Sequence, residues 1–305
     1  MRRRDFLKTG AVATGSLFLP KLSGLASAEE VNATRAKVWI SDGDPVSAAQ
    51  RLIDAVGGLE SIIPADGVVL VKPNIAFAAP PSWGVTTDPD FLAAILDLCV
   101  QAGAKRVIVA DHPVGTSPDR NLKKSGIGAV CETRDKVQML MISERRYFHP
   151  TTITGAIALK ETETAKILDK VDCFINLPTA KHHAVTTVSL GLKNLMGLIW
   201  DRVPCHEQMD LHQAIADIAL AIKPHLTFLD ARYSLLTNGP TGPGQVEETG
   251  RYLAGFDPVA VDAIGVELAA WGGRKSQGDQ VAHLRYAAES GIGVVKRDQI
   301  DLIEV

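Results

Sequence analysis

The chain lacks the short spacings that mark many metal, cluster and nucleotide sites. Its four cysteines are Cys99, Cys131, Cys173 and Cys205, and no two lie closer than 32 positions. That excludes a CxxC zinc or cluster-type pattern. There is no HExxH zinc helix and no GxxxxGK[ST] phosphate loop. Long apolar runs are missing as well. The uncharged stretch Thr9–Pro20 has 12 residues, against the roughly 20 that a membrane helix needs. No later stretch is long and apolar enough, so no membrane span is expected in the mature chain. Internal repeats and low-complexity linkers are also absent.

The N-terminal segment has a definite pattern. Arg2, Arg3 and Arg4 precede Asp5-Phe6-Leu7-Lys8, the uncharged stretch follows, and Ala26-Ser27-Ala28 supplies small residues at the cleavage positions, with Glu29 next. A basic head, a short apolar region and such a site make a signal peptide over residues 1–28. The order Arg3-Arg4-Asp5-Phe6-Leu7-Lys8 resembles a twin-arginine signal. The expectation is a periplasmic or otherwise exported protein, with the twin-arginine translocation machinery as a partner and residues 29–305 as one α/β domain.

Cleavage would remove five basic residues and one acidic one, leaving 27 basic against 34 acidic and a net charge of −7 with histidine neutral. Such a field does not attract a phosphate backbone, so no nucleic acid partner is expected. An even cysteine count in an oxidising compartment permits disulfides, with three full pairings open. Cys99, on the apolar stripe of an expected helix, and Cys173, inside an apolar strand, read instead as buried thiols.

From Lys37 onward short apolar runs alternate with helical patterns. The expected strands are 37–40, 68–71, 106–110, 137–142, 171–175, 226–229, 252–255 and 300–303. Continuous apolar runs suit strands covered on both faces. Asp88-Pro89 and Asp257-Pro258 are helix starts, with a capping carboxylate before a proline at the first helical position. Leu211, Ile215, Ile218 and Ile222 form another helical stripe. The pattern predicts an α/β fold with a mostly parallel sheet covered by helices. The irregular segment 145–163 could hold a hairpin or a small inserted lobe.

Ligands of open parallel sheets sit outside the carboxyl ends of the strands. Polar residues gather at four expected ends: Lys72 and Asn74, Asp111 and His112, Asn176 with Lys181 and His183, and Asp230. Shared use of these groups points to one polar, partly cationic site. The stretch from Ile175 to Gly197 is the densest. It reads Asn176-Leu177-Pro178-Thr179-Ala180-Lys181-His182-His183, then Leu192-Lys193-Asn194-Leu195-Met196-Gly197.

This stretch resembles the signature of the uncharacterised family called "domain of unknown function 362", an Asn-Leu-Pro-x-x-Lys-x-His element followed by Leu-Lys-Asn-x-x-Gly. Lys72-Pro73-Asn74, Asn238-Gly239-Pro240 and Asp257-Pro258-Val259-Ala260-Val261-Asp262 agree in order, and the likeness runs from about Val38 to the end. Thr179 and Thr237 depart from it, standing where Lys and Gly are usual. Some relatives carry a ferredoxin module, but the closely spaced cysteines of a ferredoxin-type iron–sulfur motif are absent here.

The resemblance implies that Lys72, Asn74, Asn176, Lys193, Asn194, Asn238 and Gly239 bind a substrate. His183 and Lys181 are the catalytic candidates, His183 as a general acid or base because imidazole titrates near neutrality. Asp111, His112 and His206, with Glu207 nearby, offer groups for a possible divalent metal. Asp262, flanking a buried helix face, would need a partner, a site lysine being one choice. Two functions stay open: an enzyme acting on a small anionic ligand, possibly metal-assisted, or a non-catalytic accessory protein that delivers a cofactor or metal to an exported redox partner.

Overall fold

The computed structural model describes residues 35–115 and 117–305. The expected signal peptide, residues 1–28, lies outside them. In chain order the elements are β1 (Ala36–Asp42), α1 (Pro45–Ala55), β2 (Val68–Pro73), α2 (Pro89–Gln101), β3 (Arg106–Asp111), α3 (Pro118–Ser125), α4 (Ile127–Glu132) and β4 (Val137–Met141). There follow β5 (Phe148–Thr152), β6 (Glu161–Ala165), β7 (Cys173–Leu177), β8 (Thr179–His183), β9 (Thr187–Ser189), α5 (Gly191–Asn194), α6 (Val203–Glu207) and α7 (Leu211–Ala221). β10 (Leu226–Leu235), β11 (Val246–Gly255), α8 (Pro258–Glu267), α9 (Ala282–Glu289) and β12 (Ile300–Glu304) complete the chain.

The main sheet runs β12-β1-β11-β10-β7-β2-β3-β4. Along it only β11 is antiparallel to its neighbours. This is the mostly parallel α/β sheet that the sequence pattern predicts. Successive strand residues feed opposite layers, which is why the runs are apolar throughout. Val69, Val71, Val107, Val109 and Phe228 pack under Leu52 of α1 and Phe91 and Ile95 of α2. Leu70, Ile108, Phe174 and Leu229 pack under Ile215 of α7, Ile264 of α8 and Leu284 of α9.

The helix starts follow their caps. Asp88 accepts from the Asp90 and Phe91 amides, and Asp257 from those of Val259 and Ala260. Helix α1 uses the same device, Asp44 before Pro45, and its buried face begins with Ala48 and Ala49 before Leu52 and Ile53.

Segment 145–163 overlaps an antiparallel hairpin, β5 with β6. Its connecting loop is clamped to α7, because Asp217 accepts from the amides of Ile157, Ala158 and Leu159 at 2.7–3.1 Å. The segment after β7 departs from the sequence reading. Lys181 and His183, placed by the sequence beyond the carboxyl end of one strand, lie with His182 in a strand of their own, β8. Past Pro178 the chain resumes beside the second half of β10, pairing Thr179 with Asp230 and Lys181 with Leu235. One long strand, β10, thus templates two short ones, β7 and then β8.

All four cysteines are buried and free. No helix among the described residues is long and apolar enough to cross a membrane.

Candidate functional site

A cavity of about 480 Å³ opens at the carboxyl ends of β2 and β3, beside β8, within the range of small-molecule sites. Nine of the twelve residues given catalytic, substrate-binding or metal roles from sequence line it: Lys72, Asn74, Asp111, His112, Lys181, His183, Lys193, Asn194 and His206. Three do not. Asn176 is fully buried behind Asn194. Asn238, at positive φ, bonds the Pro243 carbonyl, and the Gly239 amide donates to His182 Nδ1. From that loop it is Pro240 that reaches the cavity. Asp230 also lies elsewhere. It sits within β10 on the α2 side and accepts from the amides of Asp88 and Arg232.

The floor is a closed polar network. Lys72 Nζ contacts Asp111 Oδ1 at 2.8 Å and donates to Asn194 Oδ1 and the Pro73 carbonyl, each at 3.0 Å. Both charged groups are almost fully buried. Burial pulls the Lys72 ammonium down from its ordinary value, and the Asp111 carboxylate opposes that pull. Asp111 also accepts from the amides of Ile75 and His112.

The asparagines run in one consistent direction. Lys181 donates to Asn74 Oδ1, Asn74 Nδ2 to Asn194 Oδ1, Asn194 Nδ2 to Asn176 Oδ1, and Asn176 Nδ2 to the Gly191 carbonyl. Asn194 Oδ1 takes two donors, and its Nδ2 serves both Asn176 and the Lys72 carbonyl. Its amide is fully engaged within the protein.

Two glycines make this closeness possible. A Cβ on Gly197 would come within 2.7 Å of Lys72 Cε, and one on Gly191 within 2.7 Å of Asp262 Oδ1. Asp262 does not meet a lysine. It accepts from the amides of Gly191 and Leu192 at 2.7 and 2.8 Å, fixing the start of the turn that carries Lys193 and Asn194. Burial pushes its carboxyl up to about 7.

Above the floor lie cations without counter-ions. Lys181 Nζ donates to the Val85 carbonyl at 2.7 Å and to Asn74 at 3.2 Å, and sits 5.5 Å from the centre of the Phe77 ring. Burial brings it down to about 7. Lys193 Nζ meets only Met196 Sδ at 3.0 Å and His206 Nε2 at 3.5 Å, and burial with the Arg202 charge lowers it to about 8. The sequence reading missed Arg202, whose guanidinium bonds the carbonyls of His112 and Pro113 and lines the same cavity. Among the described residues no carboxylate lies within 4.0 Å of Lys181, Lys193 or Arg202.

The histidines are fixed as neutral rings. His183 Nδ1 accepts from the amides of Val185 and Thr186, so the ring proton belongs on Nε2. Burial, with the Lys193 charge beside it, drops the ring to about 3. His112 has the opposite tautomer, with Nδ1–H facing the Ile199 carbonyl at 3.1 Å and the ring stacked on Trp200 at 5.2 Å. His206 lies within α6, where its Nδ1 faces the Arg202 carbonyl at 2.8 Å.

Asp111, His112 and His206 share the cavity but do not converge. Among the described residues no three His, Cys, Asp or Glu side chains are grouped to hold a metal ion. The oxygens of Asp111 are already spent on Lys72 and two amides.

Comparison with known proteins gives a family and several similar chains. The family described as "Domain of unknown function (DUF362)" matches residues 69–267, a span that holds every cavity residue named above. A thylakoid-associated protein of Synechocystis sp. is 26% identical over 229 residues, covering 73% of this chain and 69% of the relative. Among solved structures, the lactate racemase apoprotein of Thermoanaerobacterium thermosaccharolyticum is similar over 82% of this chain, with 11% identity and a TM-score of 0.49. A Thermotoga maritima protein is similar over 83%, with 12% identity and a TM-score of 0.45. The chain spans 56% and 60% of those two proteins' lengths.

Proposed function

Because the chain belongs to the family described as "Domain of unknown function (DUF362)", membership supplies no reaction, and we propose from the cavity itself that the protein binds a small anionic molecule and acts on it as an enzyme. The observation that carries this reading is the set Lys181, Lys193 and Arg202, lining one cavity with no carboxylate in ion-pairing reach. Lys181 is buried and Lys193 and Arg202 are half-buried, and a desolvated cation without a counter-charge is costly. A carboxylate or phosphate entering between them would relieve that cost through charge-assisted bonds.

The roles divide by protonation. His183 is a neutral Nε2–H donor suited to polarising a ligand oxygen, and it is a poor base because its ring resists protonation. Proton exchange falls to Lys181 and Lys193, held near 7 and 8. Lys72, Asn74, Asn176 and Asn194 then hold the site rather than the ligand. Asn238 and Gly239 would act through the placement of Pro240.

Export by the twin-arginine route is part of the proposal, supported by the order Arg3-Arg4-Asp5-Phe6-Leu7-Lys8. The alternative, a carrier for an exported redox partner, is favoured by the asparagine relay, in which Asn194 is fully engaged within the protein, an arrangement that suits rigid holding without proton movement. Calorimetric titration with short mono- and dicarboxylates and inorganic phosphate tests the main reading. Saturable binding that weakens in Lys193→Met is expected. No binding by any of these anions to the folded protein would sink it.

A further inference from the structure

The three cavity lysines are held in different ways. Lys72 Nζ has three oxygen partners: Asp111, Asn194 and the Pro73 carbonyl. Lys181 Nζ has two, Asn74 and the Val85 carbonyl. Oxygen acceptors at 2.7–3.2 Å are what an ammonium requires. Lys193 has none. Its neighbours are a thioether sulfur, a weak acceptor, and an imidazole nitrogen at 3.5 Å. His206 Nδ1 is occupied by the Arg202 carbonyl, so the nitrogen facing Lys193 carries a lone pair and can receive a proton from it.

We propose that Lys193 is a carbonyl-reactive amine that captures an anionic aldehyde or keto acid as an imine, the ligand's anionic group resting on Lys181 and Arg202. This deepens the anion-binding reading of the same cavity and rests on it. In the step, the Nζ lone pair forms a bond to the carbonyl carbon, and the C=O π pair moves to oxygen. The nitrogen gives up its protons, the first toward His206 Nε2. The oxygen collects two and leaves as water, and the C=N bond closes. No oxidant or reductant is consumed. His183, a neutral Nε2–H donor lining the same cavity, is placed to assist the departing oxygen.

The surroundings favour the free amine. Burial and the Arg202 charge lower Lys193, with the Cys205 thiol opposing them, and the Lys193 charge in turn lowers Lys181 and the rings of His183, His206, His212 and His283. The resulting value of about 8 leaves a usable fraction of amine at neutral pH, where an ordinary lysine near 10.4 has almost none.

Glyoxylate is the probe, with cyanoborohydride to reduce any imine to a stable secondary amine and peptide mass spectrometry to locate it. Its alcohol counterpart glycolate, which cannot form an imine, reports anion binding alone by calorimetry. Trapping at Lys193 should run roughly tenfold or more faster than at the exposed Lys123 and Lys124, and inorganic phosphate should slow it. Lys193→Arg keeps the charge and should keep glycolate binding while Lys193-dependent trapping disappears. Met196→Gln, which offers Nζ an oxygen, should slow trapping at Lys193 relative to Lys123 and Lys124 of the same folded protein. Glycolate binding without preferential trapping at Lys193 overturns the imine and leaves the anion site standing. Absence of both overturns the two readings together.

Discussion

Lys193 is the residue on which the binding argument turns, and two substitutions separate its charge from its stem. Lys193→Ala and Lys193→Met should each weaken anion affinity by about one to two powers of ten, since a charge-assisted bond contributes about 1.5–3 kcal/mol. Because Lys193 makes no oxygen-accepted bond, melting temperature should hardly move. Equal loss of folding and affinity would reduce it to a structural lysine. His183 makes a different test, of pH. Its ring is lowered from 6.5 to about 3, so the stability it contributes is fully present above about 6.5 and is lost progressively as pH falls toward 3. His183→Gln keeps an acceptor for the Val185 and Thr186 amides but cannot titrate. The acid side of its stability curve should therefore be flatter than wild type between pH 6.5 and 4. Identical curves would show that the ring is not held neutral. Lysines and histidines beside strand ends were legible in the sequence because their chemistry has few other uses there. Arg202 was not, since it follows no strand and belongs to no motif quoted above. The asparagines were legible as site residues, but not as struts, because only three-dimensional neighbours reveal that Asn194 is fully engaged and that Asn74 and Asn176 are tied to it.

Among the elements, the short turn α5 depends on Asp262 of α8. Its carboxyl is raised to about 7, so the stability linked to that group is present below about 4 and declines as pH rises through 7. Asp262→Asn removes this dependence while keeping one acceptor for the Gly191 and Leu192 amides. The variant should lose less stability at pH 8 than at pH 5, measured by denaturant unfolding, and the reverse order would contradict the assignment. Asp262→Ala leaves two amides unpaired, and a loss of about 1–3 kcal/mol is expected, with weaker anion binding because Lys193 is no longer placed. The hairpin β5–β6 is fastened in a comparable way by Asp217. It walls the cavity through Phe148 on Trp200 and through the Glu163 carbonyl, which accepts from the Trp200 amide. Asp217→Ala should therefore weaken binding at a distance, an effect a purely peripheral hairpin would not give. Eight strands could be found from apolar runs, because the inner ones are covered on both faces and the edge strands β4 and β12 still carry apolar residues. β8 could not, since Lys181-His182-His183 has no strand-like composition and takes its extended form from the unpaired half of β10. α1 was missed although Asp44-Pro45 repeats the start signal of two helices that were found. Its stripe leans on Ala48 and Ala49, which carry little hydrophobic contrast.

For the molecule as a whole, two predictions test the proposed export to an oxidising compartment. Replacing both Arg3 and Arg4 by Lys should leave the precursor in the cytoplasm, as fractionation would show, and unimpaired export of that variant would point to the general secretory route. The thiols should be inert throughout. Burial raises Cys131 and Cys173 to about 12 and Cys205 to about 11, and Cys99 still further. A reductant should not alter the melting temperature, and a thiol reagent should label none of them before unfolding; rapid labelling of the native protein would contradict this burial. The long strand β10 has one more consequence. Its first half is bonded to β7 and its second to β8, so the segment that bears Asn176 and Lys181 is stitched into the sheet on both sides of Pro178. Such a floor has no independent hinge. Amide protons of residues 176–181 should exchange with deuterated solvent only when the whole sheet comes apart, at the slowest rate in the protein, so that adaptation to different ligands is left to the rim at Trp200, Arg202 and Pro240.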